Sequence, residues 1–213
     1  MSEITTEQAI GFICAISHQL TAHRDELNQL DSALGDSDHG TSISTAFEVA
    51  VKTITSIDHP TLDDVWKTTA TVLLNRMGGA SGALFGTFFL KGVRFTKDKK
   101  SLFKADMDEI LQAGLEGVKQ RGKSDVGDKT MIDALQPAVK AFITSDNLSD
   151  GWQQAALAAR YGAESTTGLV AKHGRAKFIG ERAIGHQDAG ATTIALIIEG
   201  IRDYWEEQTN GKT

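Results

Sequence analysis

A chain of 213 residues with 40% hydrophobic side chains can bury one sizeable core, and it reads as a single domain over residues 1–213. Its net charge of −6 argues against broad nucleic-acid binding, which needs a basic face. One cysteine, Cys14, excludes an intrachain disulfide, and neither a signal peptide nor a run near the roughly 18 apolar residues of a membrane span is visible, so the expected location is cytoplasmic.

Between Thr6 and Leu30, the residues Ile13, Ile16, Leu20, Leu27 and Leu30 fall mostly at three- and four-residue steps, which predicts a first helix. Ile43, Ala46, Phe47, Ala50, Val51, Ile54 and Ile57 mark one face of a second. Pro60 precedes Thr61, an N-cap with Asp64 three residues on, for a third helix carrying Leu62, Val65, Trp66, Val72 and Leu73. A fourth is expected from near Ser81 to about Phe95. A fifth runs through Met107, Ile110, Leu111, Leu115 and Val118, with Asp106 and Glu109 suiting its N-terminal end. The sixth is expected from about Lys129 to Phe142 with Pro137 as a kink, and the seventh from a cap at Asp150 through Trp152, Ala159 and Val170. For the eighth, about Ala191 to Glu206, Thr192–Ile198 also reads as a buried strand; the helical context favours a helix. No internal repeat or dividing linker is present, so the fold class is all-α with about eight helices.

Four connections are rich in glycine and charge: 31–41, 77–82, 121–130 and 172–190. If consecutive helices run up and down, these loops join helices 1–2, 3–4, 5–6 and 7–8 and emerge at one end, where they form a composite site. The first places Asp31, Asp36 and Asp38 within eight residues. Converging carboxylates repel and resist desolvation, a cost that a hard divalent cation offsets, and all-oxygen ligation suits Mg²⁺, Ca²⁺ or Mn²⁺. Read alone, the same aspartates are also two helix caps and a solvated turn. Gly78-Gly79-Ala80-Ser81-Gly82 opens a helix whose free N–H groups and dipole could receive a phosphate, although close helix packing explains the glycines as well. The fourth loop carries four Lys and Arg side chains, and arginine suits bidentate phosphate contact. A nucleoside triphosphate brings roughly four negative charges to the three aspartates, and two Mg²⁺ leave about three for Lys and Arg to offset, which points to phosphoryl transfer.

Gly35-Asp36-Ser37-Asp38-His39-Gly40, Gly78-Gly79-Ala80-Ser81-Gly82, Gly127-Asp128-Lys129-Thr130 and the stretch Gly180–Asp188 occur in the order seen in the nucleotide-binding L subunits of dihydroxyacetone kinases, the DhaL family, which the chain resembles over nearly its full length. The resemblance implies an eight-helix antiparallel barrel that binds ADP or ATP in the loops at one end. It implies that Asp31, Asp36 and Asp38 hold two Mg²⁺ bridging the nucleotide phosphates. It also implies nucleotide contacts at His39, Gly40, Thr41, Ser42, Ala80, Ser81, Gly122, Met131, Arg175, Asp188 and Gly190. Beyond that metal–nucleotide site no catalytic side chain is expected here, because a DhaK-type subunit holds the ketose. A free L chain of about this length resembles the phosphotransferase-linked arrangement, in which bound ADP is recharged from phosphoenolpyruvate through a DhaM-type subunit. The alternatives are the L subunit of an ATP-dependent ketose kinase and a non-catalytic nucleotide-binding regulatory module; a homodimer is left open. Two positions depart from the family pattern: Thr41-Ser42-Ile43, where many relatives have asparagine after His-Gly, and Ala189, where proline is common.

Overall fold

In the computed structural model, residues 2–210 are described; residues 1 and 211–213 of the expected domain lie outside the described residues. Nine α-helices make up the described chain: α1 (Thr6–Ala22), α2 (Arg24–Leu34), α3 (His39–Thr55), α4 (Leu62–Arg76), α5 (Gly79–Thr96), α6 (Lys104–Gly122), α7 (Ile132–Ile143), α8 (Leu148–Ser165) and α9 (Ala189–Asn210). Two 3-10 segments, Thr166–Gly168 and Arg175–Ala183, lie between α8 and α9. The β-structure described is one antiparallel ribbon, β1 (Glu3–Thr5) on β2 (Ser101–Phe103), which pairs the buried Ile4 and Leu102.

From α3 to α9 each helix packs on the next, and α1 packs on both α3 and α9. The architecture is therefore a helical bundle of the expected all-α class. Short-range chemistry starts the helices: Thr5 and Gln8 form a reciprocal capping box at α1, and Thr61 and Asp64 do the same at α4. The interior is aromatic, with Phe12 edge-on to Trp152 at 5.7 Å and Phe142 against Trp152 at 4.6 Å between ring centres. A cavity of about 60 Å³ remains among Phe12, Phe85, Phe89, Trp152 and Ile194.

Several boundaries differ from the sequence reading. The first expected helix is two, broken at His23, because α2 turns to lie along α3: Arg24 Nε donates to Ser44 Oγ and its Nη2 to Glu48 Oε1, both at 2.8 Å. α7 starts at Ile132 rather than near Lys129, since Lys123, Gly127 and Lys129 take positive φ and hold the preceding segment in turns. α8 is capped by Asn147, whose Oδ1 accepts from the Asp150 N–H at 3.0 Å, and it ends at Ser165, short of Val170. Residues 192–198 are helical. Their strand-like run reflects burial on nearly every side, and the Thr192 and Thr193 hydroxyls donate back to the Asp188 and Ala189 carbonyls.

Candidate functional site

Only residues 35–38 separate α2 from α3, so Asp31 belongs to the last turn of α2 and not to the loop where it was expected. Its carboxylate folds back over Gly35, where a Cβ would stand 2.2 Å from Asp31 Oδ1. Asp31 Oδ2 then accepts from the Asp38 N–H at 3.1 Å and the His39 N–H at 3.4 Å, while Asn28 Oδ1 accepts from the Thr41 N–H at 3.0 Å. α2 thus caps α3. Asp38, although in the N-cap position, makes no side-chain cap bond, which leaves its carboxylate and that of Asp36 on the exposed side. One oxygen from each of Asp31, Asp36 and Asp38 lies within 4.8 Å of the others. Three carboxylates this close make an all-oxygen donor set whose chemistry suits a hard cation such as Mg²⁺. Arg175 Nη1 pairs with Asp36 Oδ2, supplying positive charge from the opposite wall.

His39 begins α3 and is buried, which pulls its imidazole pKa below the ordinary value against the opposing pull of Asp31. Its Nε2 lies 2.8 Å from Thr193 Oγ1, whose hydroxyl already donates to the Ala189 carbonyl at 2.9 Å. The neutral ring therefore donates from Nε2 and keeps Nδ1 as an acceptor. Gly40 serves packing, because a Cβ there would meet the Arg24 carbonyl oxygen at 2.0 Å. The Thr41 hydroxyl accepts from Asn28 Nδ2 at 2.9 Å, and the Ser42 N–H is taken up by the Asp38 carbonyl.

α5 starts without a side-chain cap at Gly78. Gly78 and Gly79 face open space, Gly79 has φ +65°, and Ala80 is exposed, so the first N–H groups of α5 are accessible to an anion. Gly82, by contrast, is a packing glycine against Met77. α5 sits at the same end as α3, with Phe85 6.3 Å from His39 between ring centres, and Leu84 lies against Gly122 at the end of α6. Among the described residues, no hydrogen bond joins Ala80 or Ser81 to the acidic corner.

The third and fourth loops are locked together. Residues 169–187 form a strap from the end of α8 to the start of α9. Asp128 accepts from Lys172 Nζ at 2.7 Å and lies 3.3 Å from His173 Nε2, and its carbonyl accepts from the Lys172 N–H; the Lys172 hydrogen bond leads the effects holding the Asp128 carboxyl below the usual range. Lys129 is 1% exposed, and its Nζ donates to the carbonyls of Thr166 at 2.6 Å and His186 at 2.5 Å. Asp188 caps α9 by accepting from the Ala191 N–H at 2.7 Å, and its crowded setting pushes its pKa up to about 6, with Asp133 adding to the rise and Lys129 opposing it. Met131 is buried beside Gly190, a Cβ on which would lie 3.5 Å from Met131 Cβ. Three side chains outside the expected site organise this end: Asn28, Lys129 and Asp133, whose two oxygens accept from the Gly127 and Thr130 N–H groups at 2.6 and 2.7 Å. Thr130-x-x-Asp133 is a capping-box spacing that could have signalled the last of them; the other two act on partners far from any local pattern.

The DAK2 domain family model matches residues 33–203. Among curated relatives, the chain is 34% identical over 200 residues to the Escherichia coli K12 protein named PEP-dependent dihydroxyacetone kinase, ADP-binding subunit DhaL, covering 92% of this chain and 95% of that one. A Listeria innocua protein named PEP-dependent dihydroxyacetone kinase 1, ADP-binding subunit DhaL, is 36% identical over 193 residues, with 91% of this chain and 93% of that one covered. Among solved structures, the dihydroxyacetone kinase of C. freundii in complex with AMP-PNP and Mg²⁺ aligns with a TM-score of 0.75 at 27% identity, covering 95% of this chain; the chain spans 35% of that longer protein.

Proposed function

The chain belongs to the DAK2 domain family, and we propose that it is the nucleotide-holding, phosphoryl-transfer subunit of a dihydroxyacetone or similar short-ketose kinase. In this reading it carries ADP or ATP with Mg²⁺ at the loop end of the bundle and passes the phosphoryl group to a ketose on a DhaK-type subunit. A DhaM-type subunit then recharges the nucleotide from phosphoenolpyruvate. The observation that carries the reading is the acidic corner, where Asp31, Asp36 and Asp38 bring one oxygen each within 4.8 Å of the others at the end of the bundle where α5 begins without a side-chain cap. The full-length similarity to proteins named as ADP-binding subunits supports the same assignment.

Asp31, Asp36 and Asp38 would hold the metal, taken here as two ions; when bound, Mg²⁺ supplies charge neutralisation and Lewis-acid polarisation at the phosphate oxygens. The N–H groups of the α5 first turn, from Ala80 and Ser81, would receive phosphate oxygens, and Arg175 would turn its guanidinium from Asp36 to them. Asp188, Gly190, Met131 and Gly122 would close the far side of the nucleotide. In this reading the chain's part is to position and neutralise charge, so that a hydroxyl held by the partner attacks in line. No described helix is long and apolar enough to cross a membrane, and we place the protein in the cytoplasm with its partners.

The test is chromatography of the nucleotide released from the chain after purification in Mg²⁺ and desalting, beside an EDTA-washed control. Near-stoichiometric ADP, lost with EDTA, is expected. An empty site that exchanges added Mg-ATP quickly would move the assignment to an ATP-dependent kinase, and absence of nucleotide binding in both samples would overturn it.

A further inference from the structure

We propose that Lys129 is a positioning residue that fastens both ends of the 169–187 strap and thereby sets the residence time of the bound nucleotide; the second part rests on the function proposed above. An ammonium with 1% exposure keeps its charge only where acceptors replace water, and here these are two backbone carbonyls at opposite ends of the strap, Thr166 before it and His186 at its close. Asp188 and Asp133 face the same ammonium and favour its charged form against its burial. The carbonyls it grips belong to a seam that meets twice more: the Gly185 N–H donates to the Thr167 carbonyl at 2.8 Å, and the Asp188 N–H to Thr166 Oγ1 at 2.9 Å. Lys129 itself sits in a left-handed conformation with φ 57°, a backbone cost for a long side chain that is met where surrounding structure demands it. Its neighbour Asp128 holds the strap from outside through Lys172 and His173. Between these fastenings hangs the segment that carries Arg175 to Asp36. Losing the inner fastening frees the two strap ends from each other, while α4 and α5 contribute nothing to the seam.

The experiment compares amide hydrogen exchange in the nucleotide-free full chain and stopped-flow release of a fluorescent ADP analogue with Mg²⁺, for wild type, Lys129→Met and Lys172→Met. In Lys129→Met, exchange at Gly185 and Asp188 and the release rate should each rise by about tenfold, with α4 and α5 unchanged. Lys172→Met should loosen only the Lys172 amide. Unchanged strap exchange, a rise spread equally into α4 and α5, or a loosened strap with unchanged release would each overturn the proposal. If Lys129→Met does not fold, Lys129→Gln, which keeps an N–H donor, is read in the same way; failure of both to fold would make Lys129 a residue of the fold and overturn the proposal too. Should wild type bind no Mg-ADP, the parent reading falls, and the exchange data still decide whether Lys129 fastens the strap.

Discussion

At the α2–α3 corner the backbone is held by side chains one helix away: Asp31 and Asn28 take the N–H groups of Asp38, His39 and Thr41, and Gly40 lets the helices touch. Across the site, the strap confines its regular hydrogen bonding to the 3-10 segment Arg175–Ala183. It is held at its ends by Lys129 and Asp128 and underneath by a small apolar cluster of Leu34, Ala171 and Ala183, while Phe178 is 85% exposed at its outer surface. The corner is preorganised locally; the strap depends on a few remote bonds. A fixed anionic wall facing a fastened cationic one suits a site that must keep its charges in register yet admit a large polyanion.

Breaking the corner should have the largest effect. Asp36→Asn removes a carboxylate that serves no cap, so Mg²⁺-dependent ADP affinity measured by calorimetry should fall on the order of 100-fold with the melting temperature nearly unchanged. Asp31→Ala should lose as much affinity and also about 1 kcal/mol of stability, because the cap of α3 goes with it. Equal stability in the two variants would erase the distinction between ligand and cap.

On the strap side, Arg175→Ala should separate metal from nucleotide. With its pairing to Asp36 gone, Mn²⁺ binding in the absence of nucleotide, read by paramagnetic relaxation, should strengthen a few-fold, while nucleotide affinity falls roughly tenfold. Loss of both would mean that the arginine orders the corner instead of competing for it.

The smallest effect concerns Asp188. Its pKa is raised to about 6 from 3.8, so the stability it contributes when protonated is lost as pH climbs through that interval, and at pH 7 the carboxylate is a net burden. Asp188→Asn keeps an acceptor for the Ala191 N–H, and it should be more stable than wild type at pH 7 by about 1–2 kcal/mol, or a few degrees in thermal melts. The gain should shrink between pH 6 and 4 and vanish below, where the wild-type group is neutral.

Much of this was legible in the sequence. The three aspartates announce themselves because no apolar residue separates Asp36 from Asp38, and amphipathic periodicity locates nearly every helix. The break at His23 was hidden because Leu20 and Leu27 are both buried in the same core, so the apolar rhythm runs through it with neither glycine nor proline as a marker. Burial of Lys129 was hidden for a different reason: its acceptors are carbonyls at positions 166 and 186, and backbone acceptors carry no sequence signature. The strand-like text of 192–198 misleads because a helix surrounded by α1, α7 and α8 has almost no polar face to reveal its period.

The cavity of about 60 Å³ among the central aromatic rings makes the bundle compressible. Empty volume of that size is roughly 36 mL/mol that vanishes when water floods the unfolded chain, within the ~20–100 mL/mol typical of pressure denaturation. Hydrostatic pressure would thus act on the aromatic centre of the bundle rather than on the charged loops at its end.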